Sequence, residues 1–221
     1  MNVIVFGANG YLGQNIVENF RSLNNNVISV SRSSLDTDIQ ISVNLDEIAE
    51  LKIKFDGCVW AQGVNLNDNL QHSEFYDQVL ESNLNFIIKS IRVLLNSNLL
   101  QQDARLTVIS SVWQNLGRQN KFSYMVSKSA VEGLVNSFLA DYSQVGYSIN
   151  AVLPGVIDSP MTRQVLSQAQ LKKIIDQMPN KKLVTARQVS QLVTWLTSKN
   201  AAGINGQFIR IDNGWSSVRV I

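Results

Sequence analysis

The chain has 221 residues, a formal net charge of +2, and 45% hydrophobic against 16% charged residues. That balance excludes a disordered chain and supplies apolar material for one substantial core. So small a charge, with no basic run longer than the pairs at 172–173 and 181–182, argues against a nucleic-acid partner.

The lone cysteine, Cys58, excludes an intrachain disulfide and reads as a small buried hydrophobe in "GCVWA". No apolar stretch approaches the roughly 18 residues of a membrane-spanning helix. The opening "MNVIVFGANG" has no basic leader, so it is expected to be a first strand and not a signal peptide, with a cytoplasmic location as the default.

In chain order, Val3–Phe6 reads as a strand and Tyr11–Leu23 as a helix with Leu12, Ile16, Phe20 and Leu23 on one side. Val27–Val30 is the second strand, Ile39–Val43 a short third, and Leu45–Lys52 a weak helix. Gly57–Ala61 is the fourth strand, and Phe75–Leu100 reads as one long helix. "RLTVISS" is the fifth strand, followed by a helix over Tyr124–Tyr142. "YSINAVLPG" supplies the sixth strand, 160–178 a polar helical segment, Ala186–Thr197 another helix, and "GQFIRIDNG" the seventh strand. The alternation predicts an α/β fold: a doubly wound, mostly parallel seven-stranded sheet with helices on both faces, Rossmann-like. One domain over 1–221 is expected, with a short substrate lid around 160–180.

Between the first strand and helix, "VIVFGANGYLG" places glycines at 7, 10 and 13. This spacing permits a tight turn, lets a pyrophosphate approach the backbone, and brings the helix N-terminus to the phosphates. Gly7, Asn9, Gly10, Tyr11, Leu12 and Gly13 are the expected cofactor contacts there. After the second strand, NAD sites usually carry an acid for the ribose hydroxyls; here "VISVSRSSLD" has none before Asp36. Arg32, with Ser31 and Ser33, suits a 2′-phosphate, which favours NADP (NADPH) over NAD.

Tyr124 and Lys128 stand at i and i+4, on one face of their helix. The ammonium favours the phenolate, so a tyrosine that ordinarily titrates near about 10 is expected to shift towards useful acid–base strength. Ser111, ending the fifth strand, can offer its hydroxyl across the same cleft.

With these pieces in place, the chain resembles the short-chain dehydrogenases/reductases over essentially its whole length, and most of all the single-domain 3-oxoacyl-(acyl-carrier-protein) reductase type. The resemblance rests on "GANGYLG", "WAQG", "SNLNF", "ISSVW", "YMVSK", "PGVIDSPMT" and "GQFIRIDNG", in family order. It implies a catalytic set of Asn83, Ser111, Tyr124 and Lys128: Tyr124 the acid/base, Lys128 a ligand of the nicotinamide ribose, Ser111 a hydrogen-bond donor to the substrate oxygen. Asn83 would hold a water through its backbone carbonyl. It also implies that Pro154, Gly155, Ile157 and Ser159 form the nicotinamide-binding loop, although a plain strand terminator explains the proline and glycine as well. Asn44 and Leu45 would lie beside adenine, and Ala61, Gln62 and Gly63 would line the cofactor loop.

Two departures stand out. Phe6 replaces the family's threonine, with a glycine spacing like that of the extended branch, yet only Val156–Ile221 follow the "PG", little room for that branch's substrate domain. "WAQG" stands where asparagines and an alanine are usual, placing the bulkier Gln62 beside the cofactor. The expected reaction is NADP-dependent interconversion of a ketone and a secondary alcohol on a small molecule. The alternatives are an epimerase- or dehydratase-like enzyme with tightly bound NAD, or a non-catalytic NADP-binding regulator. Leu166, Leu171, Ile174 and Ile175 either cover an acyl chain or pack a plain lid. Trp113 and Phe122 either line the substrate pocket or join the core. Lys172, Lys173, Lys181 and Lys182 meet an anionic carrier or simply face solvent. No metal is expected, and the resemblance implies a homotetramer or homodimer.

Overall fold

The computed structural model describes residues 1–32, 39–40 and 45–218 of the chain. The strands and helices alternate as β1 (Asn2–Phe6), α1 (Tyr11–Ser22), β2 (Asn26–Ser31), β3 (Ile39–Gln40), α2 (Asp46–Ala49) and β4 (Phe55–Trp60). There follow α3 (Tyr76–Leu80), α4 (Phe86–Asn96), β5 (Leu100–Ile109), α5 (Phe122–Tyr142) and β6 (Ser148–Pro154). The last part holds β7 (Ile157–Asp158), α6 (Pro160–Val165), α7 (Gln168–Gln177), β8 (Val184–Thr185), α8 (Ala186–Leu196) and β9 (Phe208–Ile211). The main sheet has seven strands in the order β3-β2-β1-β4-β5-β6-β9, all pairs parallel. The predicted doubly wound fold is the one observed.

Alternation along each strand sends neighbouring side chains to opposite faces. Ile4, Phe6, Cys58, Trp60, Leu106 and Val108 meet Ile87, Ile91 and Leu94 of α4 and Val131 and Val135 of α5. Val3, Val5, Val59 and Val152 meet Ile16 and Phe20 of α1 and Val189 and Val193 of α8. Both faces are therefore dry, as a parallel sheet requires. Cys58 is fully buried and its thiol is pushed well up by burial, so it packs as the small hydrophobe its surroundings suggest.

The single helix expected over 75–100 is not observed. α3 runs into a π-helical turn at Glu81–Asn85, α4 stops at Asn96, and β5 already begins at Leu100. Asn98 turns the chain with a positive φ of 51°, a conformation asparagine tolerates better than most residues. The apolar run of Leu94, Leu95, Leu99 and Leu100 hides this break, because helix and strand bury the same residue types.

β7 and β8 form a small parallel pair apart from the main sheet and tie down the segment carrying α6 and α7. Leu171 is buried with Met178 and Leu183, and Leu166, Ile174, Ile175 and Trp215 pack around them. The apolar face of this segment is thus occupied by its own cluster. Lys172, Lys173, Lys181 and Lys182 are exposed. Among the described residues no helix is long and apolar enough to cross a membrane.

Trp60 anchors the sheet beneath the predicted site: it stacks on Phe6 at 5.4 Å between ring centroids and donates its indole N–H to Ser90 Oγ at 2.7 Å. Ser90→Ala leaves that donor buried and unpaired, and should lower stability by about 1–3 kcal/mol in denaturant titration. No loss in that titration would show that the indole is satisfied by other means.

Candidate active site

The carboxyl ends of the strands converge on one edge of the sheet. Phe6 lies beside Val30 on one side and Trp60 on the other, where the strand order reverses between β1 and β4. Open α/β sheets bind ligands in the crevice at such a reversal. Gly7 turns the chain away from β1 with a φ of +78°, and the amides of Gly7 and Ala8 both donate to Val30 O, at 2.9 and 3.1 Å. A Cβ on Gly7 would stand 2.4 Å from Gln62 N, and one on Gly13 only 2.1 Å from Gly7 O. Both positions therefore exclude any side chain.

Gly10 is the N-cap of α1, with no side-chain cap and no acid in the first turn. The helix thus presents free amides and its positive dipole end to an anion. Asn9 and Leu12 are half-buried around this turn, and Tyr11 is exposed. A second feature also fits a bound dinucleotide. Both amide atoms of Gln62 are buried and lack a hydrogen-bond partner, and leaving them so costs about 1–3 kcal/mol each. Gly7 abuts Gln62, and a Cβ on the next residue, Gly63, would lie 3.4 Å from Asn83 Oδ1 and 3.7 Å from Lys128 Nζ. The glycine turn and the lysine are thus joined through two consecutive residues.

At that lysine the expected catalytic residues gather. Tyr124 and Lys128 lie one turn apart on α5, with Nζ 5.7 Å from the centroid of the tyrosine ring. Lys128 is 3% exposed and donates to Ile109 O at 2.9 Å, at the very end of β5. Ser111 follows that strand, and its hydroxyl lies close enough to the Tyr124 phenol to act on its acidity. Asn83 sits in the π-helical turn, fully buried. Its Oδ1 accepts from Val64 N at 2.7 Å, and its Nδ2 donates to Val64 O and to Ser127 Oγ at 2.9 and 3.0 Å. The asparagine pins the loop after β4 against α5. π-bulges of this kind recur where a helix serves a site.

Burial pushes the Tyr124 phenol above its ordinary value, while the Ser111 hydrogen bond and the Arg118 charge pull the other way. This is opposite to the direction expected from the Tyr–Lys spacing: enclosure, which penalises a phenolate, outweighs the neighbouring charges. Burial likewise moves the Lys128 amine from 10.5 down to about 8.

Several neighbours of this cluster escape the sequence reading. Asp68 caps α5: its carboxylate accepts from Ser123 N at 3.0 Å and from the Ser123 hydroxyl. Lys121, 6% exposed, reaches Asn65 Oδ1 at 2.6 Å and Leu66 O at 3.3 Å. These contacts join segments more than fifty positions apart, which no local spacing announces. Arg118, by contrast, lies openly between Ser111 and Tyr124; a cation inside that stretch was the available signal. Its guanidinium carbon lies 5.1 Å from the centroid of the Trp113 ring. Trp113 meets Trp215 edge-on at 5.3 Å, so it packs towards the turn after β9. Phe122 stacks on Tyr76 instead, which makes it part of the packing between α3 and α5.

The remaining expected contacts are distributed unevenly. Ala61 donates its amide to Phe6 O at 2.9 Å beside the turn. Ser31 ends β2 and Arg32 is exposed just beyond it. Ser33 and Asn44 lie outside the described residues. Leu45 has a positive φ of 58° and buries its side chain with Ile48 in the core. Pro154 ends β6 beside Ile211, and a Cβ on Gly155 would come within 2.8 Å of Asp212 Cβ, so both have a structural reason. Ser159 caps α6 by accepting from Thr162 N at 3.1 Å, and Thr162 Oγ1 donates to Ile157 O at 2.7 Å. Its hydroxyl is thus already engaged in a cap.

The buried lysine has a stability signature. Its folded pKa is depressed, so the unfolded chain holds the extra proton between about pH 8 and 10.5, and stability rises with pH across that window. Below it the penalty is present in full. Lys128→Met should therefore stabilise the unliganded protein at pH 7 by roughly 1–3 kcal/mol, and the gain should vanish towards pH 10.5. Denaturant titrations at both pH values test this; equal stability of the two proteins at pH 7 would refute it.

A sequence model described as enoyl-(acyl carrier protein) reductase matches residues 3–216. The 3-oxoacyl-(acyl-carrier-protein) reductase of Buchnera aphidicola subsp. Schizaphis graminum is 29% identical over 182 residues, covering 81% of this chain and 73% of that protein. The 2-(R)-hydroxypropyl-CoM dehydrogenase of Xanthobacter autotrophicus is 32% identical over 146 residues, 66% of this chain and 58% of its own length. Among solved structures, 4-hydroxyisoleucine dehydrogenase complexed with NADH superposes with a TM-score of 0.84 at 21% identity, covering 99% of this chain and 100% of that one. With its sheet, its glycine turn and a match over nearly its full length, the chain belongs to the short-chain dehydrogenase/reductase family of oxidoreductases.

Proposed function

We propose that the protein is an NADP-dependent oxidoreductase that interconverts a ketone and a secondary alcohol on a small molecule, with Tyr124 as its acid/base. The observation that carries this reading is the joined arrangement of Ser111, Tyr124, Lys128 and Asn83. It sits against a glycine turn whose first residue touches Gln62. Its relatives, named as a reductase and a dehydrogenase, favour the same class of chemistry.

When bound, the nicotinamide supplies or accepts the hydride. The protein's own residues do the rest. The Gly7–Gly13 turn and the uncapped start of α1 receive the diphosphate, with Asn9, Tyr11 and Leu12 around it. Ser31 and Arg32 meet a 2′-phosphate, and the backbone at Leu45 flanks the adenine. Ala61, Gln62 and Gly63 line the ribose side, the orphaned Gln62 amide finding partners there. The backbone at Pro154, Gly155 and Ile157, with Ser159, shapes the carboxamide end.

Ser111 and Tyr124 both hydrogen-bond the substrate oxygen. Because burial keeps the phenol neutral at rest, Tyr124 is ready to give its proton as negative charge develops on that oxygen. Lys128, its amine near neutrality at about 8, holds the ribose hydroxyls and returns the proton to Tyr124. The backbone at Asn83 holds the water that connects this relay to solvent. A second copy of the chain suits the groove between α4 and α5, where Ile88, Leu95, Leu134, Phe138 and Tyr142 come together, giving a homodimer or homotetramer.

Tyr124→Phe should lower kcat by at least about 100-fold while NADPH affinity stays within about three-fold. Turnover near the wild-type rate would rule the phenol out as the proton donor. Arg32→Ala should raise KM for NADPH at least about ten-fold more than for NADH, because only the former presents a 2′-phosphate. An unchanged ratio would move cofactor choice elsewhere.

A further inference from the structure

The structure assigns Arg118 a place in substrate recognition: we infer that the carbonyl substrate carries a carboxylate or phosphate group near its reacting carbon and that Arg118 pairs with it. The inference rests on the oxidoreductase reading above and narrows its substrate class.

Arg118 is fixed on the substrate side of the cluster. Its backbone amide lies 3.3 Å from Met125 Sδ, the residue after Tyr124, and its guanidinium lies over Trp113. Trp113 in turn is tied to the catalytic serine, its amide donating to Ser111 Oγ at 3.3 Å. Trp215 closes on the other edge of Trp113, and the turn bearing it is held by buried Asp212, which accepts from Gly214 N and Ser216 N. The cation therefore stands on an aromatic platform directly linked to the groups that would hold the substrate oxygen.

Among the described residues Arg118 has no acidic partner. The contrast is Arg163, whose guanidinium makes two bonds to Asp158 at 2.7 and 2.9 Å. A cation–π contact of this kind is weak at a partly exposed position and leaves the planar N–H donors unused. Arg118 also repels buried Lys121, adding to the fall of that amine to about 8. Two cations are thus held near each other beside a half-buried phenol; the one carboxylate there, Asp68, accepts from Ser123 and offsets the charge of Lys121, leaving Arg118 without an acidic partner among the described residues. An anion supplied by the substrate relieves this. The guanidinium fork matches carboxylate and phosphate oxygens, and the tryptophan walls strengthen the pair by excluding water.

The test uses matched carbonyl pairs with NADPH: acetoacetate against methyl acetoacetate for the carboxylate, and dihydroxyacetone phosphate against dihydroxyacetone for the phosphate. The wild type should favour the charged member of at least one pair by about ten-fold or more in kcat/KM. Arg118→Ala should collapse that ratio to near one, and Arg118→Lys should restore part of it. In parallel, calorimetry on the NADPH-bound protein should show butyrate or glycerol 3-phosphate binding about ten-fold more weakly to Arg118→Ala.

Should Arg118→Ala fail to fold, the wild type still answers. Raising the salt should weaken binding of the charged probe and leave the neutral ketone's KM alone. Equal reduction of charged and neutral members, with neither dead-end probe sensitive to Arg118, would overturn the inference while leaving hydride transfer intact. A uniform loss on both members of each pair would reduce Arg118 to a structural role and overturn it as well. Absence of both turnover and NADPH binding would instead sink the oxidoreductase reading, and this inference with it.

Discussion

A primary amine enclosed by protein and held by a single backbone carbonyl, Lys128 on Ile109, is the constraint on which the rest of the site depends. Burying that cation opposes folding, so the surroundings must be rigid enough to keep it from escaping to water. The rigidity comes from ordinary packing. The lysine follows buried Ser127 on α5, and Ser127 accepts from Asn83, whose side chain is itself closed onto Val64. Proteins accept such a local cost where a reactive group must be ready before its ligand arrives.

The site divides into two kinds of construction. At the glycine turn, backbone meets backbone at distances that tolerate no side chain, as at Gly7 and Gly13, and the geometry follows from the sheet itself. Next to it, side chains from three separate stretches meet: Trp113 after β5, Trp215 after β9, and the cluster around Leu171. The first construction is dictated by the fold; the second can vary without disturbing it. This is why family membership settles the reaction class and leaves the substrate to be argued from Arg118 and its aromatic neighbours.

Much of this was legible in the residues. The alternation of apolar strands with helical stretches points to a parallel sheet covered on both faces, and the glycine spacing locates the turn. The Tyr–Lys register placed the reactive pair on one helix face. The boundary between α4 and β5 was not legible, because Leu94, Leu95, Leu99 and Leu100 suit either element and the break depends on one asparagine in a left-handed conformation. The acidity of Tyr124 was misjudged for a related reason. The sequence displays which charges are near, but not how much water is excluded, and burial proved the larger influence. Ser159 matched a motif whose hydroxyl the structure has spent on capping α6.

Asp68 closes the first turn of the helix that bears Tyr124 from a loop more than fifty positions away. That makes positions 68 and 123 a heritable pair. A lineage that loses the carboxylate must find another acceptor for the Ser123 amide, or let the start of the catalytic helix unwind.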